Sequence, residues 1–336
     1  MDRVGREVRL VGRPKGLPGE ELFEIQEIAI PDPGDGQVLV RNAYFSVDPY
    51  MRPRMNDARS YVAAFELGAP LTGGAVGRVE ASRNPEFSEG DWVLHQLGWR
   101  EWALLDGTGM RIIDPGAAPL STALGVLGMP GFTAWYGLFE IGRPAEGEIV
   151  FVSGAAGAVG SAAGQMAKIA GCTALGSAGS PAKVEWLREL GFDAAFDYHE
   201  QPVRRALAEL APDGIDVYFD NVGGEQLEAA IRAMRNHGRI VACGSISTYN
   251  DTEPAPGPRN MWSLVSKRLL IQGFIIGDHY SRVREFHAQA VRWLAEGRLR
   301  YRETIVEGIE NAPHAFLGLL RGENVGKMLV RVGPVE

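Results

Sequence analysis

The residues best suited to chemistry lie in one short run, Ser153-Gly154-Ala155-Ala156-Gly157-Ala158-Val159-Gly160. It stands between the apolar stretch Ile149 to Ser153 and a segment with helical spacing at Val159, Ala163, Met166, Ala167 and Ala170. Strand, tight glycine turn and helix in that order make a nucleotide-phosphate site. The helix start offers unpaired N–H groups and the positive end of a dipole, and the small side chains let a pyrophosphate come close. The run departs from G-x-G-x-x-G at its first position, Ala155, while Gly157 and Gly160 keep the other two. With these flanks it reads as a dinucleotide site rather than a bare turn.

The residues about twenty positions further on bear on which dinucleotide this is. An NAD site ends its second strand with an acid that binds the ribose 2′-hydroxyl. Here Ala174 to Lys183 holds no Asp or Glu, but has Ser177, Ser180 and, one turn into the next helix, Lys183. A 2′-phosphate is repelled by a carboxylate and attracted by a cation, so the segment favours NADP. Asp220-Asn221-Val222-Gly223-Gly224 and the Cys243 to Asn250 segment each follow an apolar strand, at the edge where open α/β sheets bind ligands. No His or cation stands beside Cys243 in sequence, so a packing role suits it better than a reactive thiol. A third polar segment, Ser46-Val47-Asp48-Pro49-Tyr50-Met51-Arg52, concentrates aromatic and cationic side chains in a proline-bent stretch. It reads equally as a site loop or as a surface loop with Tyr50 packed on the core.

The elements that must position these residues follow from periodicity. Residues 1 to about 125 alternate as short half-buried strands at Val8–Val11, Phe23–Ile28, Gln37–Ala43, Ala75–Glu80, Trp92–Leu97 and Trp102–Leu105, which predicts a barrel-like or sandwich module. Leu124 to Glu140 reads as a helix. Beyond it, strands at 149–153, 173–178, 194–198, 215–221, 239–244 and 270–276 alternate with helices near 158–170, 181–190, 202–210, 224–235 and 260–268. That alternation predicts a doubly wound parallel sheet. A helix at 280–297 closes this domain. The tail, with strands near 303–306 and 326–332 around a helix at 311–321, is expected to rejoin the first domain.

Composition excludes several classes. The chain has 336 residues, 45% of them hydrophobic, enough for two cores. A net charge of −8 without basic runs argues against nucleic acid. Two cysteines, Cys172 and Cys243, are too few for a disulfide framework, and six scattered histidines lack metal-ligand spacing. No apolar stretch reaches signal-peptide or membrane-spanning length, so a soluble cytoplasmic protein is expected.

Five segments in order, Val47-Asp48-Pro49-Tyr50-Met51-Arg52, Gly128 to Ala134, Ala155 to Gly160, Phe219 to Gly224 and Gly322 to Lys327, resemble the zinc-free medium-chain dehydrogenase/reductases. The group meant is that of leukotriene B4 dehydrogenase, prostaglandin reductase and 2-alkenal (double-bond) reductase, and the resemblance spans nearly the whole chain. It implies an α/β protein with a GroES-like β-barrel domain (1–125 and 305–336), an NADP-binding Rossmann domain (126–304) and usually a homodimer. Gly73-Gly74-Ala75 stands where zinc-dependent relatives carry Gly-His-Glu, so no metal is expected. The resemblance places cofactor contacts on Met129, Thr133, Ala156, Gly157, Ala158, Val159, Gly160, Ser180, Lys183, Tyr198 and Asn221. Further contacts fall on Cys243, Gly244, Ser245, Tyr249, Phe274, Ile275, Ile276 and Asn324. Tyr50 and Tyr249 match the two tyrosines that border the substrate and are the candidate catalytic residues. The implied chemistry is NADPH reduction of the carbon–carbon double bond of small enals or enones. Asp278 and His279 depart from the expected pattern on that side of the pocket. Quinone reduction, or NADPH binding without catalysis, are the alternatives.

Overall fold

The computed structural model describes residues 3–335. In chain order its strands are β1 (Arg3–Leu10), β2 (Phe23–Ile30), β3 (Val38–Ser46), β4 (Ala75–Ser82), β5 (Trp92–His95), β6 (Trp102–Leu105) and β7 (Arg111–Ile112). Next come β8 (Ile149–Val152), β9 (Thr173–Ala178), β10 (Ala194–Asp197), β11 (Ile215–Asp220), β12 (Met234–Ala242), β13 (Leu270–Gly273), β14 (Glu303–Glu307) and β15 (Lys327–Arg331). The helices are α1 (Met51–Arg54), α2 (Met129–Tyr136), α3 (Ala158–Ile169), α4 (Pro181–Glu189), α5 (Val203–Leu210), α6 (Gly224–Ala233), α7 (Trp262–Lys267), α8 (Val283–Ala295) and α9 (Ala312–Leu320). The chain divides into two units, residues 1–125 with 303–336, and residues 126–302.

The first unit is built on a seven-stranded sheet of order β14-β15-β3-β4-β5-β7, with β6 also paired to β3; β1 and β2 form a separate antiparallel pair. Strand β3 is buried along nearly its whole length, as a central strand must be. A core of Phe45, Met51, Trp99, Phe316 and Met328 lies beneath it.

The second unit is a six-stranded parallel sheet of order β10-β9-β8-β11-β12-β13. The order reverses between β8 and β11, the topological switch point at which doubly wound sheets bind ligands. The fold class expected from the sequence is therefore the one observed. Helix α3 lies against β8 and β9 because its inner face is made of Ala162, Ala163, Gly164 and Ala167, all buried. A Cβ on Gly164 would run into the Phe192 ring. A Cβ on Gly160 would lie 2.5 Å from the Gly154 carbonyl oxygen and 2.8 Å from Ala155 Cα. Both of those neighbours are backbone, so only glycine lets the helix start this close to the turn.

Several boundaries differ from the sequence reading. Leu124 to Glu140 is not one helix. A 3-10 turn, Leu120–Leu124, ends at Gly125, and α2 begins at Met129 with Pro130 in its first turn, where its missing N–H has no partner to lose. The chain then widens into π turns at Gly137–Gly142, whose glycines press against Phe219, Val217 and Val241 of the sheet. Strand β12 starts earlier than predicted, at Met234, and ends before Cys243. Strand β13 stops at Gly273, so Phe274, Ile275 and Ile276 follow the strand instead of forming its end. The predicted helix at 280–297 is a 3-10 stretch, Ile276–Arg282, running into α8.

The two glycines of the turn predict different outcomes. Gly157 has an extended backbone (φ −80°, ψ 175°), and a Cβ there meets only the Gly154 oxygen, at 3.4 Å. Gly160→Ala should destabilise the protein by about 1–3 kcal/mol, because backbone atoms cannot give way. Gly157→Ala should stay within about 0.5 kcal/mol. Urea midpoints at equal m-value would measure both.

Candidate functional site

The ends of β8 and β11 are joined by a buried polar network. Asp220, the last residue of β11, is 2% exposed. Its Oδ1 accepts the backbone N–H of Val222 at 3.0 Å and of Gly223 at 2.8 Å, and the Ser153 hydroxyl at 3.2 Å. The Tyr218 hydroxyl lies 2.7 Å from the same oxygen and 2.9 Å from Ser153 Oγ. Burial raises the Asp220 carboxyl above the usual carboxylate range, and these donors oppose that rise. Asn221 is pinned by the same group, its N–H to Ser153 Oγ (3.0 Å) and its amide Nδ2 to the Ser153 carbonyl (2.8 Å). The turn that follows needs Gly223 (φ +71°) and Gly224 (φ +53°), both in the left-handed region where a Cβ is strained. The sequence reading gave Asp220 no role. Its signal was an Asp closing a buried strand just before a glycine turn, where a carboxylate accepts the next N–H groups.

The glycine turn and α3 stand beside this network. Gly154 (φ +57°) carries the chain off β8, Gly157 caps α3, and Ala156, Ala158 and Val159 complete the small-residue rim. The first N–H groups of α3 have no helical partner, and the positive end of the helix favours an anion there.

At the end of β9, Ser180 and Lys183 stand at the start of α4, and Tyr198, just after β10, comes over Gly179. The Ser180 hydroxyl caps α4 by accepting the Lys183 N–H at 3.4 Å. A Cβ on Gly179 would lie 2.9 Å from the Tyr198 hydroxyl, so that hydroxyl lies over Gly179. Tyr198 packs on His199, with ring centres 4.3 Å apart, and His199 Nδ1 is 3.2 Å from the Gly179 carbonyl. His199, read from sequence as an ordinary histidine, thus joins the cluster. Burial lowers the Lys183 ammonium from its ordinary value. A partly buried lysine in the first turn of α4, in a region that also holds the Ser180 and Tyr198 hydroxyls, offers the residue types that an oxyanion such as a phosphate takes.

Beyond β12, Cys243 and Gly244 both donate backbone N–H groups to the Asp220 carbonyl, at 2.9 and 3.0 Å. Burial pushes the Cys243 thiol up to about 12, with the Asp220 charge adding to it, so it packs as a neutral group. Ser245, Ile246, Ser247 and Thr248 form a tight turn, with Ser245 Oγ 3.0 Å from Thr248 Oγ1. A Cβ on Gly244 would lie 3.3 Å from the Asn221 carbonyl and 3.5 Å from the Tyr249 hydroxyl. Tyr249 is thereby brought back to the end of β12.

Helix α2 contributes Met129 and Thr133, one turn apart, with Thr133 Oγ1 donating to the Met129 carbonyl at 2.8 Å. Tyr136 continues their stripe. It packs on Phe274 at 5.6 Å between ring centres and stacks on His279 at 4.0 Å, which is where the unexpected histidine goes. Ile275 is exposed, and Ile276 opens the 3-10 stretch.

Tyr50 and Asn324 belong to the first unit. Asn324 is buried, and its Nδ2 donates to the Gly326 carbonyl at 2.8 Å, closing its own turn. Tyr50 precedes α1 and packs partly on the core. Its segment is anchored by Lys327, whose buried ammonium reaches Asp48 Oδ1 at 3.1 Å and the carbonyls of Val47 and Met328, each at 2.8 Å. The Ser46 hydroxyl bonds the other Asp48 oxygen. Sequence reasoning passed over both charges, since a lysine and an aspartate 279 residues apart carry no pairing signal. Among the described residues no three His, Cys, Asp or Glu side chains group as metal ligands would.

Residues 6–113 match the family described as the N-terminal domain of oxidoreductase, and residues 158–296 match the zinc-binding dehydrogenase family. The chain is 43% identical over 329 residues to the NADPH-dependent curcumin reductase of Escherichia coli, covering 96% of this chain and 95% of that protein. It is 42% identical over 335 residues to the NADP(+)-dependent 2-alkenal reductase of Nicotiana tabacum, covering 97% of each. The crystal structure of CurA from Vibrio vulnificus in complex with NADPH superposes with a TM-score of 0.94 at 44% identity, covering 98% and 99% of the two chains. These matches cover nearly the whole length of the chain. The chain belongs to the medium-chain dehydrogenase/reductases, in the group of the alkenal, curcumin and prostaglandin reductases.

Proposed function

We propose that this protein is a cytoplasmic, NADPH-dependent reductase of the carbon–carbon double bond in α,β-unsaturated aldehydes and ketones. The observation that carries the cofactor reading is the end of β9, where Ser180, Lys183 and Tyr198 stand and an NAD site would have an acid. The substrate class rests on the relatives named for curcumin, 2-alkenals and prostaglandins. The residues present fit the cofactor. Gly157 and the start of α3 would take the pyrophosphate, the Lys183 cluster the 2′-phosphate, and Asn221, Thr133 and the Cys243–Tyr249 turn the nicotinamide end.

NADPH, when bound, supplies the hydride that the β-carbon of a conjugated carbonyl accepts. The electron pair of the double bond then moves onto the carbonyl oxygen, and a proton from water completes the α-carbon. What the chain must do is stabilise charge on that oxygen. A phenol donates a hydrogen bond there without ionising, which assigns Tyr249 and Tyr50 as candidate donors. An isolated alkene offers no such oxygen and should not react. Quinone reduction, the alternative, would share the cofactor site but receive the hydride differently.

The exposed edge of the second unit supports a homodimer. Leu270 on β13 is exposed, and next to it α7 presents Trp262 (75% exposed) and Val265 (62%) to solvent. An unpaired strand edge with an apolar face is a pairing site, and a second copy would cover it across a two-fold axis. The strand is shorter than its sequence suggested, so α7 must supply much of the buried area.

Lys183→Ala should weaken NADPH binding by about 1–3 kcal/mol while NADH changes little. Titration of both cofactors by fluorescence would show it, and equal weakening would detach Lys183 from the phosphate. Tyr249→Phe should lower kcat on a simple cyclic enone by about 10- to 100-fold with NADPH affinity nearly unchanged. A changed KM with intact kcat would leave Tyr249 as a lining residue only. Light scattering should give twice the chain mass at micromolar concentration, and Trp262→Glu with Val265→Glu should halve it.

A further inference from the structure

In a doubly wound sheet, the residue that chooses between the two nicotinamide dinucleotides stands at the end of the second strand, against the ribose. Here that strand is β9, and Gly179 and Ser180 follow it before α4 begins. His199, two residues beyond β10, lies against this turn. Parallel pairing sets Asp197 of β10 opposite Ala178 of β9, and the Tyr198 N–H donates to the Ala178 carbonyl at 3.1 Å, so the two chains leave the sheet side by side. A Cβ on Gly179 would lie 2.9 Å from the Tyr198 hydroxyl and 3.2 Å from His199 Cε1. Phenol and imidazole thus cover the place where an NAD site puts its acid.

The imidazole is held in one orientation and one tautomer. Its Nδ1 lies 3.2 Å from the Gly179 carbonyl, and a carbonyl can only accept, so Nδ1 carries the proton of the neutral ring. Nε2 is then the nitrogen that gains the second proton. The ring packs on Tyr198 with centres 4.3 Å apart. Asp197 anchors the residue: its Oδ1 accepts the His199 backbone N–H at 3.0 Å and lies 3.5 Å from Nδ1. The Asp197 side chain is 10% exposed, whereas that of His199 is 63% exposed. A carboxylate and a carbonyl back the ring through Nδ1, and its other edge is open to a ligand.

We propose that His199 is a specificity-determining residue: as an imidazolium it contacts the 2′-phosphate of NADPH through Nε2, so that preference for NADPH over NADH falls as the pH rises through the range in which histidine loses its charge. This rests on the reading that the end of β9 takes the 2′-phosphate. A phosphate monoester is mostly dianionic above about pH 6, while the ribose hydroxyl of NADH is uncharged throughout, so only NADPH gains from a cation there. The other charged or titratable groups around the ring are Asp197 behind it, Tyr198 and Glu200 beside it in the chain, and Lys183 in the first turn of α4. Burial lowers the Lys183 ammonium, so Lys183 is the group that a pH dependence independent of His199 would point to.

Dissociation constants of NADPH and NADH, read from cofactor fluorescence at about pH 6.5 and about pH 8.5, test it in the wild type, H199Q and H199K. Expected is an NADPH preference that falls about 3- to 5-fold between the two pH values in the wild type, and that in H199Q is flat at the lower level. H199K keeps its charge at both pH values and should hold the higher preference at both. A slope that persists in H199Q, or an H199Q preference equal to that of the wild type at both pH values, would overturn the His199 role while leaving the phosphate at the end of β9. A wild type without preference for NADPH at either pH would remove that reading, and the proposal with it.

Discussion

A carboxylate buried without donors is costly enough that the chain around it must supply them, and in this protein that requirement falls at Asp220. Its Oδ1 lies at hydrogen-bond distance from two backbone N–H groups, a serine and a tyrosine, and each of them belongs to a segment the site needs. Ser153 fixes the end of β8, and Val222 and Gly223 fix the turn that carries Asn221. Satisfying one oxygen atom therefore sets the distance between the two strands at which the sheet order reverses. The glycine turn, α3 and the Cys243–Tyr249 segment are built outward from that junction.

A second constraint is proximity of backbones. A helix can present its first N–H groups to a phosphate only if it starts close to the strand before it. Gly160 against Gly154 and Ala155 allows that approach, and Gly164 beneath Phe192 carries it along the helix. The alanines of α3 serve the same purpose. In the first unit the segment leading to Tyr50 is held by a different device, the Lys327–Asp48 pair. The lysine's three donors are taken by Asp48 and two carbonyls, so the buried charge is matched group for group.

The chain's overall negative charge is not distributed so as to describe its site. With a net charge of −8, an anionic cofactor meets no general attraction, so in the function proposed above its recognition falls to local groups: the α3 terminus, Lys183, and the hydroxyls of Ser180 and Tyr198. Local cations against an acidic background give selectivity for where the anion sits rather than for anions at large. The exposed α7 face has the opposite character, an apolar surface with few charges between its aromatic and aliphatic side chains.

Periodicity and glycine placement were legible in the sequence because they are local. Alternation in β1 to β6, strand–helix turns from β8 onward, the glycine run and the missing acid after β9 can all be read along the chain, and the two-unit plan follows from them. Element ends were less legible where packing decides them: Pro130 starts a helix instead of interrupting one, the Gly137–Gly142 stretch widens against the sheet, and β13 stops four residues in. The tertiary structure alone decided which distant residues meet. Ser153 finds Asp220, Gly179 lies under Tyr198, and Lys327 reaches Asp48, all across separations at which sequence carries no pairing signal. The reason is physical: spacing along a chain fixes which face a side chain is on, but only the burial of a polar group requires a particular partner to come to it.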